Sequence, residues 1–224
     1  MSGSLPPSSP VPLVEACVDT ALDACEAGVG GAGRLELCGS LSAGGTTPAA
    51  GMVAEVRELV GLPLHVLIRP RGGDFLYDAA EFARMLRDIG EARQLGADGV
   101  GVGALARDGQ VHFEGLRRLV DAARPLTVTF HRAFDSARDP AEALDVLVEL
   151  GVDRVLTSGQ APTAEAGIPI LAELVTESAG RVVVMAGGGI RANNARRVVE
   201  ETGVREIHLR YGEWFGDVVA AVRP

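Results

Sequence analysis

A chain of 224 residues with 47% hydrophobic and 23% charged side chains has the composition of a folded globular protein, with enough apolar material for one large core, which argues against disorder. Its net charge of −9 and pI near 5.0 argue against nucleic acid or an anionic membrane surface as the main partner, because neutralising phosphates needs a basic patch. No apolar run approaches the roughly 20 residues that span a bilayer, the opening MSGSLPPSSPVP lacks a signal peptide's basic-then-apolar layout, and three cysteines make no disulfide framework. A cytoplasmic protein with free Cys17, Cys25 and Cys38 is the expectation.

Residues 1–12 hold four prolines and four serines, too few apolar groups to offset ordering entropy, and are expected to form a flexible tail. From there strand-like and helix-like runs alternate through residues 13–224. Strands are expected at Leu13–Val18, Arg34–Cys38, Leu64–Ile68, Gly99–Val102, Leu126–Phe130, Arg154–Thr157, Val182–Ala186 and Glu206–Leu209. The clearest helix is Asp78–Leu95, where Phe82, Met85, Leu86, Ile89 and Ala92 recur on one face and Asp78 with Glu81 forms a capping box. Asp139-Pro140-Ala141-Glu142 repeats the device with proline at the first helical position. Further helices are expected near Thr20–Ala27, Ala50–Val60, Phe113–Ala123, Pro140–Leu150, Ala166–Ser178, Asn193–Thr202 and Trp214–Val222.

A weak repeat places Gly96, Gly151 and Gly203 between a helix and the next strand, 55 and 52 residues apart, which is two strand–helix units each time. Eight such units with apolar strands imply an all-parallel sheet covered by helices, and the expected fold is a single-domain α/β protein, a (β/α)₈ TIM barrel. The alternative, a doubly wound open sheet, lacks its G-x-G-x-x-G fingerprint after the first strand.

Barrel chemistry sits at the C-terminal ends of the strands. Two successive strands end in the same pattern, Glu15-x-Cys17 and Glu36-x-Cys38. Alternate strand residues share a face, so each glutamate points with its cysteine, and on parallel neighbours about 5 Å apart two thiols at matched heights could meet around one ion. Other strand ends carry Arg69-Pro-Arg71-Gly-Gly-Asp74-Phe, Thr129-Phe-His131-Arg132-Ala-Phe-Asp135, Thr157-Ser-Gly-Gln160 and Ala186-Gly187-Gly188-Gly189-Ile190.

These strings, together with R-L-E-L-C, G-G-T-T-P and L-T-S-G-Q, resemble the CutC copper homeostasis family over roughly Val14 to His208. The resemblance implies a cytoplasmic (β/α)₈ barrel, often a homo-oligomer, associated with copper and holding Cu(I) on cysteines that match Cys17 and Cys38. The chain departs from the family pattern at Gly33, at Ala186, and at its end, where His208-Leu-Arg-Tyr-Gly-Glu-Trp replaces a typical His-x-Ser-Ala and a long segment before the last helix is missing.

Two readings stand for each group. Thiolates suit soft Cu(I), whereas free cysteine is also a common core residue, the role expected for Cys25. Glu15 and Glu36 need buried partners, for which Arg69, His131 and Arg132 are the candidates. They form either a structural ion-pair network or an acid/base set in which His131 titrates near neutral pH with Glu36 oriented beside it. Arg69, Arg71 and the Gly72-Gly73 amides, like the Gly187–Gly189 turn after the seventh strand, either clasp a small anionic metabolite, phosphorylated ones included, or serve only tight turns. Asp74 and Asp135 order loops or act in chemistry. His65 and His112 are expected to be structural.

Overall fold

The computed structural model describes residues 11–223. The first ten residues of the expected tail lie outside them, while Val11 and Pro12 carry no regular structure. Eight strands, β1 (Leu13–Val18), β2 (Arg34–Leu37), β3 (Leu64–Leu67), β4 (Gly99–Val102), β5 (Thr127–Phe130), β6 (Arg154–Thr157), β7 (Val183–Gly187) and β8 (Glu206–Arg210), pair in sequence order into a closed parallel barrel. Closure comes from β8 lying beside β1, with Leu13 opposite Glu206 and Glu15 opposite His208. No strand edge is left unpaired.

Eight helices follow the strands: α1 (Ala21–Val29), α2 (Ala50–Leu59), α3 (Ala79–Gln94), α4 (Phe113–Ala123), α5 (Pro140–Glu149), α6 (Ile168–Ser178), α7 (Ala195–Thr202) and α8 (Phe215–Val222). The expected elements are all present, with ends shifted by a residue or two. At α3 the Asp78 carboxylate accepts from the Glu81 amide at 2.8 Å, and Glu81 accepts from the Asp78 amide at 2.9 Å. The face Phe82, Met85, Ile89, Ala92 is buried against the barrel, at about 1.5–3 kcal/mol for each large apolar side chain. Asp139 caps α5 through the Ala141 and Glu142 amides, but the Glu142 carboxylate turns to Arg138 instead of completing a box. Gly96, Gly151 and Gly203 all take positive φ (83°, 68° and 75°), the left-handed turn that only glycine adopts without strain.

Two short 3₁₀ helices, Leu41–Ala43 after β2 and Arg132–Ser136 after β5, were not expected. They fold the loops over the barrel's C-terminal end.

Strand alternation separates two interiors. Val14, Ala16, Val18, Leu35, Val66, Val100, Val128 and Ile207 face the helices and form the main apolar core. The opposite parity fills the barrel and is largely polar: Glu15, Arg34, Glu36, His65, Thr129 and His131 are all buried. β4 makes room for them. A Cβ at Gly99 would overlap His65 and Thr127, one at Gly103 would overlap His131, and one at Gly101 would come within 3.0 Å of Glu36 Oε1. Gly99 and Gly101 on β4 and Gly103 just after it are thus a packing requirement of the polar interior.

Candidate metal centre

At the foot of the barrel Arg34 donates to Glu15 and, at 2.6 Å, to Glu206, which also accepts from Arg154 at 2.8 Å. His65 meets Thr127 Oγ1 at 3.0 Å. The expected partners of Glu15 and Glu36 are therefore corrected. Arg34 shares the inward parity of Glu36 and sits opposite Glu15 in register, which places it closer than Arg69 or Arg132.

Above this network lies the cysteine pair. Cys17 is opposite Glu36 in register rather than Cys38, because parallel strands in a tilted barrel are staggered. The side chains close the difference: Cys17 Sγ and Cys38 Sγ are 3.3 Å apart, and Cys38 Sγ is 3.5 Å from Glu36 Oε2. Cys17, Glu36 and Cys38 each present a donor atom within 4.8 Å of the other two, and all three are buried. Cys25, on α1, is part of the core packing and distant from this cluster in the fold.

His208, from β8, completes the group. Its Nδ1 lies 2.7 Å from Glu15 Oε1 and its Nε2 3.8 Å from Glu36 Oε2. Burial alone would lower its pKa, but hydrogen bonding to Cys17 and Glu15 holds it well above the usual imidazole value. Burial likewise opposes ionisation of Glu15, yet the His208 hydrogen bond and the Arg34 charge keep that carboxyl well below its ordinary range. Hydrogen bonding from Cys38 draws the Cys17 thiol down to about 6 against its burial, while Cys38 is pushed well up. Burial raises Glu36 to about 8. The site thus favours one thiolate, on Cys17, over an ionised Glu36.

These groups line a cavity of about 140 Å³ at the barrel mouth, together with Leu41, Gly44, Gly45, Leu67, Arg69, Phe75, His131, Arg132 and Leu156. The fold brings Arg69, His131 and Arg132 to this cavity with the cysteines. Arg71 is on the outer surface with Asp74 and Glu81, at 2.9 Å and 2.5 Å. The glycine turn Gly187–Gly189 packs behind the mouth, where a Cβ on Gly187 would overlap Leu156 and one on Gly188 would press on Arg132 and Ser158. Asp135 orders the loops, accepting from Thr157 Oγ1 and the Ser158 and Gln160 amides. His112 caps α4 through the Gly115 amide at 3.0 Å. His208 is the site residue that reading the strand ends one by one passed over. Its signal was its inward parity opposite Glu15.

Comparison with known proteins agrees with this architecture. The model of the CutC family matches residues 12–213. A CutC family protein of Bacteroides thetaiotaomicron is 48% identical over 87% of this chain and 79% of its own length. The copper homeostasis protein cutC homolog of Homo sapiens is 48% identical over 88% of this chain and 72% of its own. Among solved structures, one from Streptococcus agalactiae carrying the CutC copper homeostasis name superposes with a TM-score of 0.84 at 33% identity, covering 88% of this chain and 97% of that one. A thiamine phosphate pyrophosphorylase from Pyrococcus furiosus, TM-score 0.63 at 17% identity over 96% of this chain and 95% of its own, shares the barrel alone. With its motifs, its barrel and its relatives in agreement, the chain belongs to the CutC family.

Proposed function

We propose that the protein binds Cu(I) at the mouth of its barrel on the Cys17 and Cys38 thiolates and serves copper handling in the cytoplasm. The observation that carries this reading is the 3.3 Å approach of two buried sulfurs from neighbouring strands. A thiolate–metal bond is about 2.3 Å, so an ion bonded to both sulfurs sits off the line joining them at an S–metal–S angle of roughly 90°, and a straighter arrangement needs the two sulfurs to move apart by about 1 Å. Two thiolates suit a soft ion.

The rest of the donor set fits the same ion. Glu15 holds His208 Nδ1, leaving Nε2 as the nitrogen that faces the cluster, where it becomes a third donor once its proton leaves on metal binding. Glu36, a hard donor kept neutral by its burial, stays beside the thiols as a hydrogen-bonding neighbour, and the Cys38 proton leaves to solvent when the ion enters. Copper is the cargo here, and its release needs only reprotonation of the sulfurs. Among the described residues no helix is long and apolar enough to cross a membrane, and free thiols persist in a reducing compartment.

Anaerobic competition against a chromogenic Cu(I) chelator tests the reading. Cys17→Ser and Cys38→Ser should each weaken binding by at least about tenfold, and Cys25→Ser should leave it unchanged. Equal affinity in the wild type and the Cys17/Cys38 double variant would remove copper from this site.

A further inference from the structure

Beside the thiols, the wall that β3 and β5 contribute to the mouth carries Arg69 and His131, groups that a copper site does not use. His131, directly after β5, is 4% exposed. Its Nδ1 accepts from the Ala133 amide at 3.1 Å, which places the proton of the neutral ring on Nε2. Burial, joined by the neighbouring Arg69 charge, pushes its pKa down to about 3, which corrects the expectation that it titrates near neutral pH: the ring is already neutral at physiological pH. Nε2–H is therefore a donor. It has no acceptor among the described residues, and the ring lines the cavity.

Arg69 lines the same cavity and is 7% exposed. Its guanidinium donates to the carbonyls of Gly44, Gly45 and Gly73 at 2.7, 3.0 and 2.8 Å and stacks on Phe75 at 4.9 Å. Those acceptors are neutral. Arg34, Arg154, Arg71 and Arg132 each have a carboxylate partner, whereas Arg69 has none among the described residues. Carbonyl dipoles hold its charge in place but leave it without a counter-ion, an arrangement that a buried cation rarely keeps unless an anion completes it.

The remaining wall is apolar, from Leu67, Phe75 and Leu156, and the space equals about five water molecules. The geometry points to a binding site for a small carboxylate. One carboxylate oxygen accepts from His131 Nε2–H, the anionic charge answers Arg69, and a short hydrocarbon tail lies on Leu67, Phe75 and Leu156. A phosphoryl group matches less well, because its three charged oxygens ask for more donors than this wall offers. The inference goes beyond the copper reading, since it uses His131 and Arg69 in place of the thiols and needs no metal, sharing with the copper site only Leu67, which packs against Cys17 and Cys38.

The test uses the full-length, metal-free chain with its thiols reduced, titrated with acetate, propionate and pyruvate. Propionamide and inorganic phosphate are the comparison arms. Melting temperature and the ¹⁵N signal of His131 Nε2 are followed together. At least one carboxylate should raise the melting temperature and move the His131 signal, and propionamide should do neither at equal concentration. His131→Asn keeps an oxygen acceptor for the Ala133 amide but removes the Nε2 donor, and should weaken carboxylate binding by about tenfold or more. Should that variant fail to fold, the wild-type His131 signal decides the matter. The inference is overturned if no carboxylate moves that signal, if propionamide binds as well as propionate, or if phosphate alone binds. Because no copper is present, failure here leaves the Cu(I) titration standing, and failure there leaves this one.

Discussion

His208 holds Glu15 with one ring nitrogen and faces Glu36 with the other, at 2.7 Å and 3.8 Å. This ties the ion network at the foot of the barrel to the cysteine pair at its mouth. His208→Ala should therefore weaken Cu(I) affinity about 10- to 100-fold, the range for an orienting or outer donor, in the chelator competition. Unchanged affinity would restrict His208 to the role of counter-ion for Glu15.

Arg34 bridges Glu15 of β1 and Glu206 of β8, the strands whose pairing closes the barrel. Arg34→Met removes the cation shared by buried Glu15 and part-buried Glu206, leaving Glu15 with His208 and Glu206 with Arg154. The expected loss is about 3–5 kcal/mol, as for breaking a buried ion pair from one side, read as a lowered urea midpoint with unchanged slope. A midpoint near the wild-type value would mean that Arg154 alone neutralises Glu206.

The glycines of β4 and of the position just after it make a graded prediction. Gly103→Ala forces its methyl into the His131 ring, held between Phe75 and Phe130, whereas Gly101→Ala meets the end of the Glu36 side chain at 3.0 Å. Overpacking should cost Gly103→Ala about 1–3 kcal/mol and Gly101→Ala less, because a carboxylate tip can shift. Urea unfolding of both variants checks the order.

Most of the architecture was legible in the sequence. The Asp78–Glu81 box, the Phe82–Ala92 stripe and the glycines at 96, 151 and 203 state local physics that tertiary packing did not overrule. The Glu-x-Cys strand ends likewise gave the cysteine pair, because strand parity is rigid. What parity along one strand does not give is stagger between strands. The register that sets Cys17 opposite Glu36, and brings His208 and Arg34 to Glu15, arises from barrel tilt. Arg69, Arg71 and the Gly187–Gly189 turn looked alike as anion-binding elements. They separate only once loop folding puts Arg69 into the mouth, Arg71 onto the surface with Asp74 and Glu81, and the glycines behind Leu156.

Two buried histidines give the fold a pH dependence. Burial lowers His65 from 6.5 to about 4 and His131 from 6.5 to about 3, so between those values and 6.5 the unfolded chain binds more protons than the folded one. Their contribution to stability is complete above the unfolded pKa and is lost as pH falls below it, at up to about 1.4 kcal/mol per pH unit for each ring. Stability measured by urea from pH 7 to pH 4 should fall less steeply in His65→Gln than in the wild type. Parallel slopes would contradict the assignment.

The central claim, that Cys17 and Cys38 share one Cu(I), is tested most directly by X-ray absorption at the copper edge on the protein loaded anaerobically with one equivalent. The account predicts two sulfur scatterers at about 2.3 Å, a thiolate bond length, with at most one nitrogen from His208. The same spectrum is expected in Cys25→Ser, and one sulfur scatterer is lost in Cys17→Ser or Cys38→Ser. A copper shell of nitrogen and oxygen alone, or a sulfur shell that persists in the Cys17/Cys38 double variant, would contradict it.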